Sequence, residues 1–287
     1  MPRGWDGLAK KSIPLGLLKK FYGLVKGMNV FLPVFCKKRN IPYNFLWKKN
    51  SQEISSWIAS LEPDLIVIFS MSQLLKGDIL KIPDLGVINL HPSFLPSYRG
   101  ANPDFWQYCD MEMNPGATVH YVDAGEDTGD IIFQDRIRIP LGTKSPSRLN
   151  KLIGELGVSL VLKAVDAIAQ GKAPKIPQPA QSPTARARNL KPEEHTQIID
   201  WDRWPIEHVW HVLRGTELWL NAVPQPKGFF AGQRWSIQEY AKTDVPQGNI
   251  GSLGEHKNRK CIFTRDGVIY VWLDFDIKKS ILRILQK

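Results

Sequence analysis

Apolar residues recur at helical spacing over residues 145–171, where Leu149, Leu152, Ile153, Leu156, Leu160 and Val161 share a face and Gly171 supplies a stop. A second helix is predicted over residues 50–61. There Ile54, Trp57, Ile58 and Leu61 line one side, Asn50 can cap the start, and Glu53 stands three residues on. A short run at 65–69 (Leu-Ile-Val-Ile-Phe) shows no alternation, and 86–90 (Gly-Val-Ile-Asn-Leu) is expected to be the next strand. The first is too short for a helix and rich in β-branched residues, which predicts a strand covered on both faces, as in a parallel sheet. Further strands are expected at 117–122 and 131–139, on either side of a Gly- and Asp-rich turn at 123–130. This order of elements predicts an α/β domain.

The pattern changes after Gly171. Pro174, Pro177, Pro179, Pro183 and Pro192 punctuate a polar stretch that reads as a linker. Beyond it a short helix at 206–213 precedes strand-like pieces at 235–240, 260–264 and 268–274. The expected organisation is a first domain over 1–171, a linker over 172–200 and a small, mostly β domain over 201–287.

Composition narrows the class. The chain has 287 residues, 43% hydrophobic and 23% charged, which suits packed domains rather than disorder. Three cysteines (Cys36, Cys109, Cys261) lie far apart with no CxxC pair, arguing against a disulfide framework or a thiolate zinc site. The apolar runs fall short of the roughly 18–20 residues that cross a bilayer. Residues 28–36 are apolar but flanked by Lys26 and by Lys37, Lys38 and Arg39, with no cleavage pattern following. No membrane partner and a cytoplasmic location are expected. The net charge of +10 is concentrated in residues 1–50, which hold eleven Lys/Arg and one acid, while the remainder balances. Such a block serves either as a solvated face or as a contact for phosphates.

No GxxxxGK[ST], HExxH or GxSxG motif is present. His208 and His211 stand in a predicted helix without further ligands nearby. The run from Asp123 fails as a calcium loop, because Thr128 and Gln134 occupy the positions that need Gly and Glu. No metal is expected. What remains is polar: Asn89 and His91 are two residues apart at a strand end and project from one face. A loop with Pro92, Pro96, Tyr98, Arg99 and Gly100 follows, and loops at strand exits are where α/β folds place their sites. A carboxamide beside an imidazole suits acyl transfer, since Asn donates to a developing oxyanion and His moves protons near neutral pH. The turn at 123–130 offers a carboxylate to orient the imidazole. Each residue also has an ordinary role: Asn89 as a turn former, His91 as a core histidine, Asp127 as a turn acid.

The stretches Val-Ile-Asn-Leu-His-Pro-Ser-Phe-Leu-Pro-Ser-Tyr-Arg-Gly (87–100), Gly-Ala-Thr-Val-His (116–120) and Val-Asp-Ala-Gly-Glu-Asp-Thr-Gly-Asp-Ile (122–131) resemble the folate-dependent formyltransferase family. The match is strongest over 61–140 and returns at Ile199-Asp200-Trp201 and in the tail, which resembles the C-terminal OB-type β-barrel of the branch acting on methionyl-tRNA. The resemblance implies a Rossmann-like sheet and an enzyme of one-carbon metabolism that uses 10-formyltetrahydrofolate. It places the catalytic residues on Asn89, His91 and Asp127. The folate pocket falls on Ser72, Gln73, Leu74 and Leu75, on Phe94, Leu95 and Pro96, and on the backbone around Asp123 and Gly125.

The match departs from the family at the start: the opening strand–helix unit is not recognisable, so the first domain is expected to be N-terminally incomplete. Phe94 also stands where the family usually has Leu. Two acceptors compete. The amino group of methionyl-tRNA, which would place the chain in protein biosynthesis, is favoured by the basic segment and the β tail. An amino sugar on a nucleotide is favoured by Phe105 and Trp106, which suit stacking against a ring but equally suit core packing. A non-catalytic folate-binding relative, or hydrolysis with water as acceptor, are the remaining readings.

Overall fold

The computed structural model describes residues 32–44, 50–69, 71, 77–145, 149–217, 219–244 and 248–277. The chain divides into two units, Met1–Ile54 and Ser55–Lys287. In the first, helix α1 (Leu32–Lys38) ends on Lys37 and Lys38, which complement the negative C-terminal end of the helix dipole. Helix α2 (Ser51–Ala59) starts as its sequence dictates. Asn50 Oδ1 accepts the Glu53 N–H (2.9 Å) and the Glu53 carboxylate accepts the Asn50 N–H (3.0 Å), a reciprocal capping box.

After α2 the larger unit continues with β1 (Ile66–Phe69), a single turn of helix α3 (Gly77–Leu80) and β2 (Val87–His91). Helix α4 (Pro103–Cys109), β3 (Gly116–Tyr121) and β4 (Ile131–Arg136) follow, then the long helix α5 (Leu149–Ala169). The sheet order is β1-β2-β3-β4, with β1 parallel to β2 and the other pairs antiparallel. The sheet is therefore mixed. The expectation of a first strand covered on both faces is also corrected: Val67 and Phe69 are 45% and 67% exposed while Ile66 and Ile68 are half-buried, so one face of β1 is open. Beyond β4 the chain stays extended, with the Ile137 and Ile139 N–H groups bonded to Pro115 and Met113 carbonyls.

Helix α5 packs on β3 and β4. Its buried Leu149, Ile153, Leu160, Ala164 and Ile168 meet Ile88, Leu90, Ala117, Val119 and Ile132 of the sheet. Each fully buried Leu or Ile contributes roughly 1.5–3 kcal/mol, which makes this layer the base on which β2 and β3 are held.

Helix α6 (Ile206–Gly215) leads into a second sheet, β5 (Arg234–Lys242), β6 (Leu253–His256), β7 (Arg259–Thr264) and β8 (Gly267–Asp274). Its order is β5-β8-β7-β6, all antiparallel. The tail is thus a four-stranded β sheet with α6 against it, and β6 is an element that the apolar pattern of the sequence does not show. Phe105 of α4 belongs to the same core cluster as Ile206, Val209, Val212, Ile237, Ile262 and Ile269. Among the described residues no helix is long and apolar enough to cross a membrane.

Candidate active site

Strand β2 carries the first two polar groups. Ile88 and Leu90 are buried on the opposite face against the long helix, so the alternation leaves Asn89 and His91 together on the other. Antiparallel pairing sets His120 of β3 directly opposite Asn89, and Thr118 opposite His91. Directly opposed side chains lie close enough to interact, which brings a second imidazole to the same face.

Asp127 arrives from the turn between β3 and β4, with φ +56° at a residue that is not glycine. The turn is built by its own side chains: Asp123 Oδ1 accepts from the Gly125 N–H (2.9 Å) and the Thr128 hydroxyl (2.7 Å). It passes so near β3 that a Cβ on Gly129 would stand 2.0 Å from the Tyr121 carbonyl oxygen. The opposite wall is Gly100, whose φ of +121° lets its N–H donate to Asp127 Oδ2 at 2.9 Å.

The cluster has a defined hydrogen-bond sense. A carbonyl only accepts, so the Tyr98 carbonyl takes the Nε2–H of His91 (2.9 Å), and the Tyr121 carbonyl takes the Nδ1–H of His120 (2.7 Å). His120 Nε2 is then a lone pair that accepts from Asn89 Nδ2 at 3.2 Å. The second Asn89 N–H points at Asp127 Oδ1, 3.4 Å away, the weakest bond in the group. His91 Nδ1 faces Asp127 Oδ2 at 3.6 Å, and His120 Nε2 stands 3.6 Å from Oδ1.

Burial pushes the His91 imidazole below its ordinary value of 6.5, against the pull of Asp127 and the Tyr98 carbonyl. His91 is therefore neutral at pH 7, with Nδ1 as its free lone pair. Burial by itself raises Asp127; the His120 and His91 imidazoles, in their protonated forms, and the Gly100 N–H outweigh it and hold the carboxyl at about 2. The site thus presents one carboxylate, one basic nitrogen and one carboxamide donor around a single point, a set that can activate an amine and stabilise an oxyanion.

Asn89, His91 and Asp127 are brought together. His120 is the member that sequence reasoning missed. It stands two residues from Thr118 on β3, so its face was readable, but its partner across the sheet depends on register.

The residues expected around a folate divide. Ser72, Gln73, Leu74 and Leu75 lie outside the described residues. Phe94 is half-buried under the Arg136 guanidinium, 4.0 Å from its ring centroid. Leu95 is fully buried, and its N–H bonds to Thr118 Oγ1 (3.1 Å). Pro96 is half-buried, and Asp123 and Gly125 are exposed on the turn. Phe105, considered for ring stacking, is 1% exposed inside the core, and the Trp106 indole N–H donates to the Arg188 carbonyl (2.8 Å). The His208 Nε2–H donates to the Cys109 carbonyl and His211 Nδ1 accepts the Gly142 N–H. Among the described residues no three His, Cys, Asp or Glu side chains are placed to hold a metal ion.

A family model described as formyl transferase matches residues 20–165, half of the chain, and spans the whole cluster. The chain belongs to the formyl transferase family. A methionyl-tRNA formyltransferase from Methylacidiphilum infernorum is 35% identical over 177 residues, 59% of this chain and 54% of that protein. One from Pelotomaculum thermopropionicum is 30% identical over 222 residues, 76% of this chain and 68% of that protein. The chain spans between about half and two thirds of these curated formyl transferases. A crystal structure of HypX from Aquifex aeolicus with tetrahydrofolic acid matches 78% of this chain and 38% of that one, at 19% identity and a TM-score of 0.55, a likeness of fold.

Proposed function

We propose that the chain transfers a formyl group from 10-formyltetrahydrofolate to a primary amine, and that the amine is the amino group of methionyl-tRNA. The observation that carries the reaction type is the convergence of Asn89, His91, Asp127 and His120, with no separation above 3.6 Å among the contacts that join them. The acceptor rests on the relatives named methionyl-tRNA formyltransferase and on the burial of Phe105, which removes one of the two rings that favoured a nucleotide sugar. Most of the basic block at 1–50 lies outside the described residues. The site lies in the part matched by the family model, and a cytoplasmic setting suits both substrates.

The donor set fits acyl transfer. The folate co-substrate supplies an electrophilic formyl carbon, and the half-buried Phe94 and Pro96 would form part of its slot. His91 Nδ1 accepts the proton that the attacking amine must lose, and the resulting imidazolium pairs with Asp127. Asn89 exchanges its long bond to Asp127 for the formyl oxygen and stabilises the charge developing there. His120 holds the other Asn89 N–H, and so aims the carboxamide. The proton passes to the nitrogen that leaves.

Asn89→Ala is expected to lower kcat by about 10²–10³-fold with folate affinity retained, as for loss of one oxyanion donor. Equilibrium folate binding measured beside turnover checks it; undiminished turnover removes Asn89 from the mechanism.

The acceptor is tested by assaying 10-formyltetrahydrofolate with methionyl-tRNA and with a panel of amino-sugar nucleotides over a range of salt. Transfer to methionyl-tRNA with an apparent affinity that falls steeply with ionic strength is expected, because phosphate contacts release counterions. Salt-insensitive transfer to a sugar nucleotide alone would overturn the acceptor. Folate binding without transfer to any amine would overturn catalysis.

A further inference from the structure

The Pro-rich stretch after α5 lies along the loop that follows β2. Ile176 exchanges two backbone hydrogen bonds with Ile131, of 2.8 and 3.0 Å, beside the Asp127 turn. The Ser182 hydroxyl donates to the Pro96 carbonyl (2.8 Å), and the Thr184 hydroxyl accepts the Tyr98 N–H (2.7 Å). The Ala187 N–H donates to the Arg99 carbonyl, and the Asn102 N–H donates to the Ala187 carbonyl, both at 2.8 Å. The stretch therefore straps down the loop whose Tyr98 carbonyl orients His91 and whose Gly100 N–H holds Asp127.

One side chain of the strap reaches both walls of the site. Gln178 Nε2 donates to the carbonyls of Asp127 (3.0 Å) and Gly129 (2.6 Å). Its Oε1 accepts from Arg99 Nε (3.3 Å) and Nη2 (2.9 Å). Arg99 is only 7% exposed, and two further donors go to the Pro179 and Ala180 carbonyls. A buried guanidinium demands such partners, so its place is tightly set. Asp127 itself sits at a φ of +56°, a conformation that persists in a non-glycine residue only when its surroundings hold it. A single carboxamide thus links a fixed cation to the backbone of the turn that carries the carboxylate.

We propose that Gln178 is a positioning residue: by joining Arg99 to the 127–129 turn it sets where the Asp127 carboxylate stands relative to His91 and Asn89. The activity arm of its test rests on the formyl transfer proposed above; a titration arm does not. Gln178→Glu keeps an acceptor for Arg99 but loses both N–H donors and sets a carboxylate against two carbonyl oxygens. If Gln178 merely anchored the strap, this variant would lower the thermal midpoint and keep the parental plateau kcat.

The full chain is assayed with 10-formyltetrahydrofolate and methionyl-tRNA, with the thermal midpoint recorded, and the Asp127 carboxyl is followed by carbon NMR as pH is lowered. Gln178→Glu is expected to lose about 10²-fold in kcat on the plateau of the pH profile with the KM for folate unchanged, the scale for a small misplacement of a reacting group. Gln178→Leu is expected to move the Asp127 titration up from about 2 towards its ordinary 3.8. Parental kcat in the first variant, or parental titration in the second, would overturn the proposal. If Gln178→Leu does not fold, the plateau kcat of Gln178→Glu decides. If the parent transfers formyl to no acceptor, the proposed function fails and the titration alone decides Gln178.

Discussion

Asp127→Asn is expected to abolish most formyl transfer, lowering kcat by about 10³–10⁴-fold, at the upper end of what a proton-transfer apparatus supplies. The change keeps shape and removes charge. In the native site one carboxylate oxygen accepts the Gly100 N–H and the other faces the Asn89 N–H and His120. An amide has one accepting oxygen, so its NH₂ must oppose either the Gly100 or the Asn89 donor. The imidazolium formed when His91 takes a proton also loses its counter-charge. A loss below about 10-fold would show that His91 works without this partner.

The same group makes a stability prediction. Its folded value of about 2 lies below the ordinary 3.8, so its contribution is full above 3.8 and is lost as pH falls through about 2. With the side chain 15% exposed, the contribution is at most about 2 kcal/mol. Urea unfolding at pH 7 and near pH 2 should therefore show the gap between parent and Asp127→Asn closing at the lower pH.

His91→Gln should cost about 10²–10⁴-fold in kcat/KM, the usual range for a general base. Gln can still donate to the Tyr98 carbonyl, so the loop that His91 anchors keeps its bond, while the basic Nδ1 disappears. The pH profile supplies the sharper readout. Because burial holds the His91 imidazole below 6.5, the active neutral form is present at pH 7, and activity falls only as pH drops through the depressed value. The parent should show that acid limb with its midpoint below 6.5, and His91→Gln should lack it. A limb that survives the substitution removes His91 from that titration.

Much of this was written in local pattern. The helix at Leu149–Ala169 follows from its apolar stripe, and the start of α2 from Asn50 and Glu53. The shared face of Asn89 and His91 follows from the two-residue period of a strand. These features depend on neighbours in the chain, and their physics is local. The exposed side of β1 was not legible, because a run of apolar residues reads alike in a strand covered on both faces and in one covered on a single face. Nor was β6, whose Leu-Gly-Glu-His lacks any strand signature and is held by pairing with β7.

By itself the sequence determined which chemical groups are available: a carboxamide and an imidazole on one strand face, and a carboxylate in a glycine-bounded turn. Only the tertiary structure decided how they meet. Antiparallel register placed His120 against Asn89, and the turn dihedral aimed Asp127 between two imidazoles. A segment that its prolines mark as a spacer became, through Gln178 and Arg99, a clamp on that turn. Register and long-range hydrogen bonds join residues tens of positions apart, and their energy depends on the whole packed core rather than on any local stretch of chain.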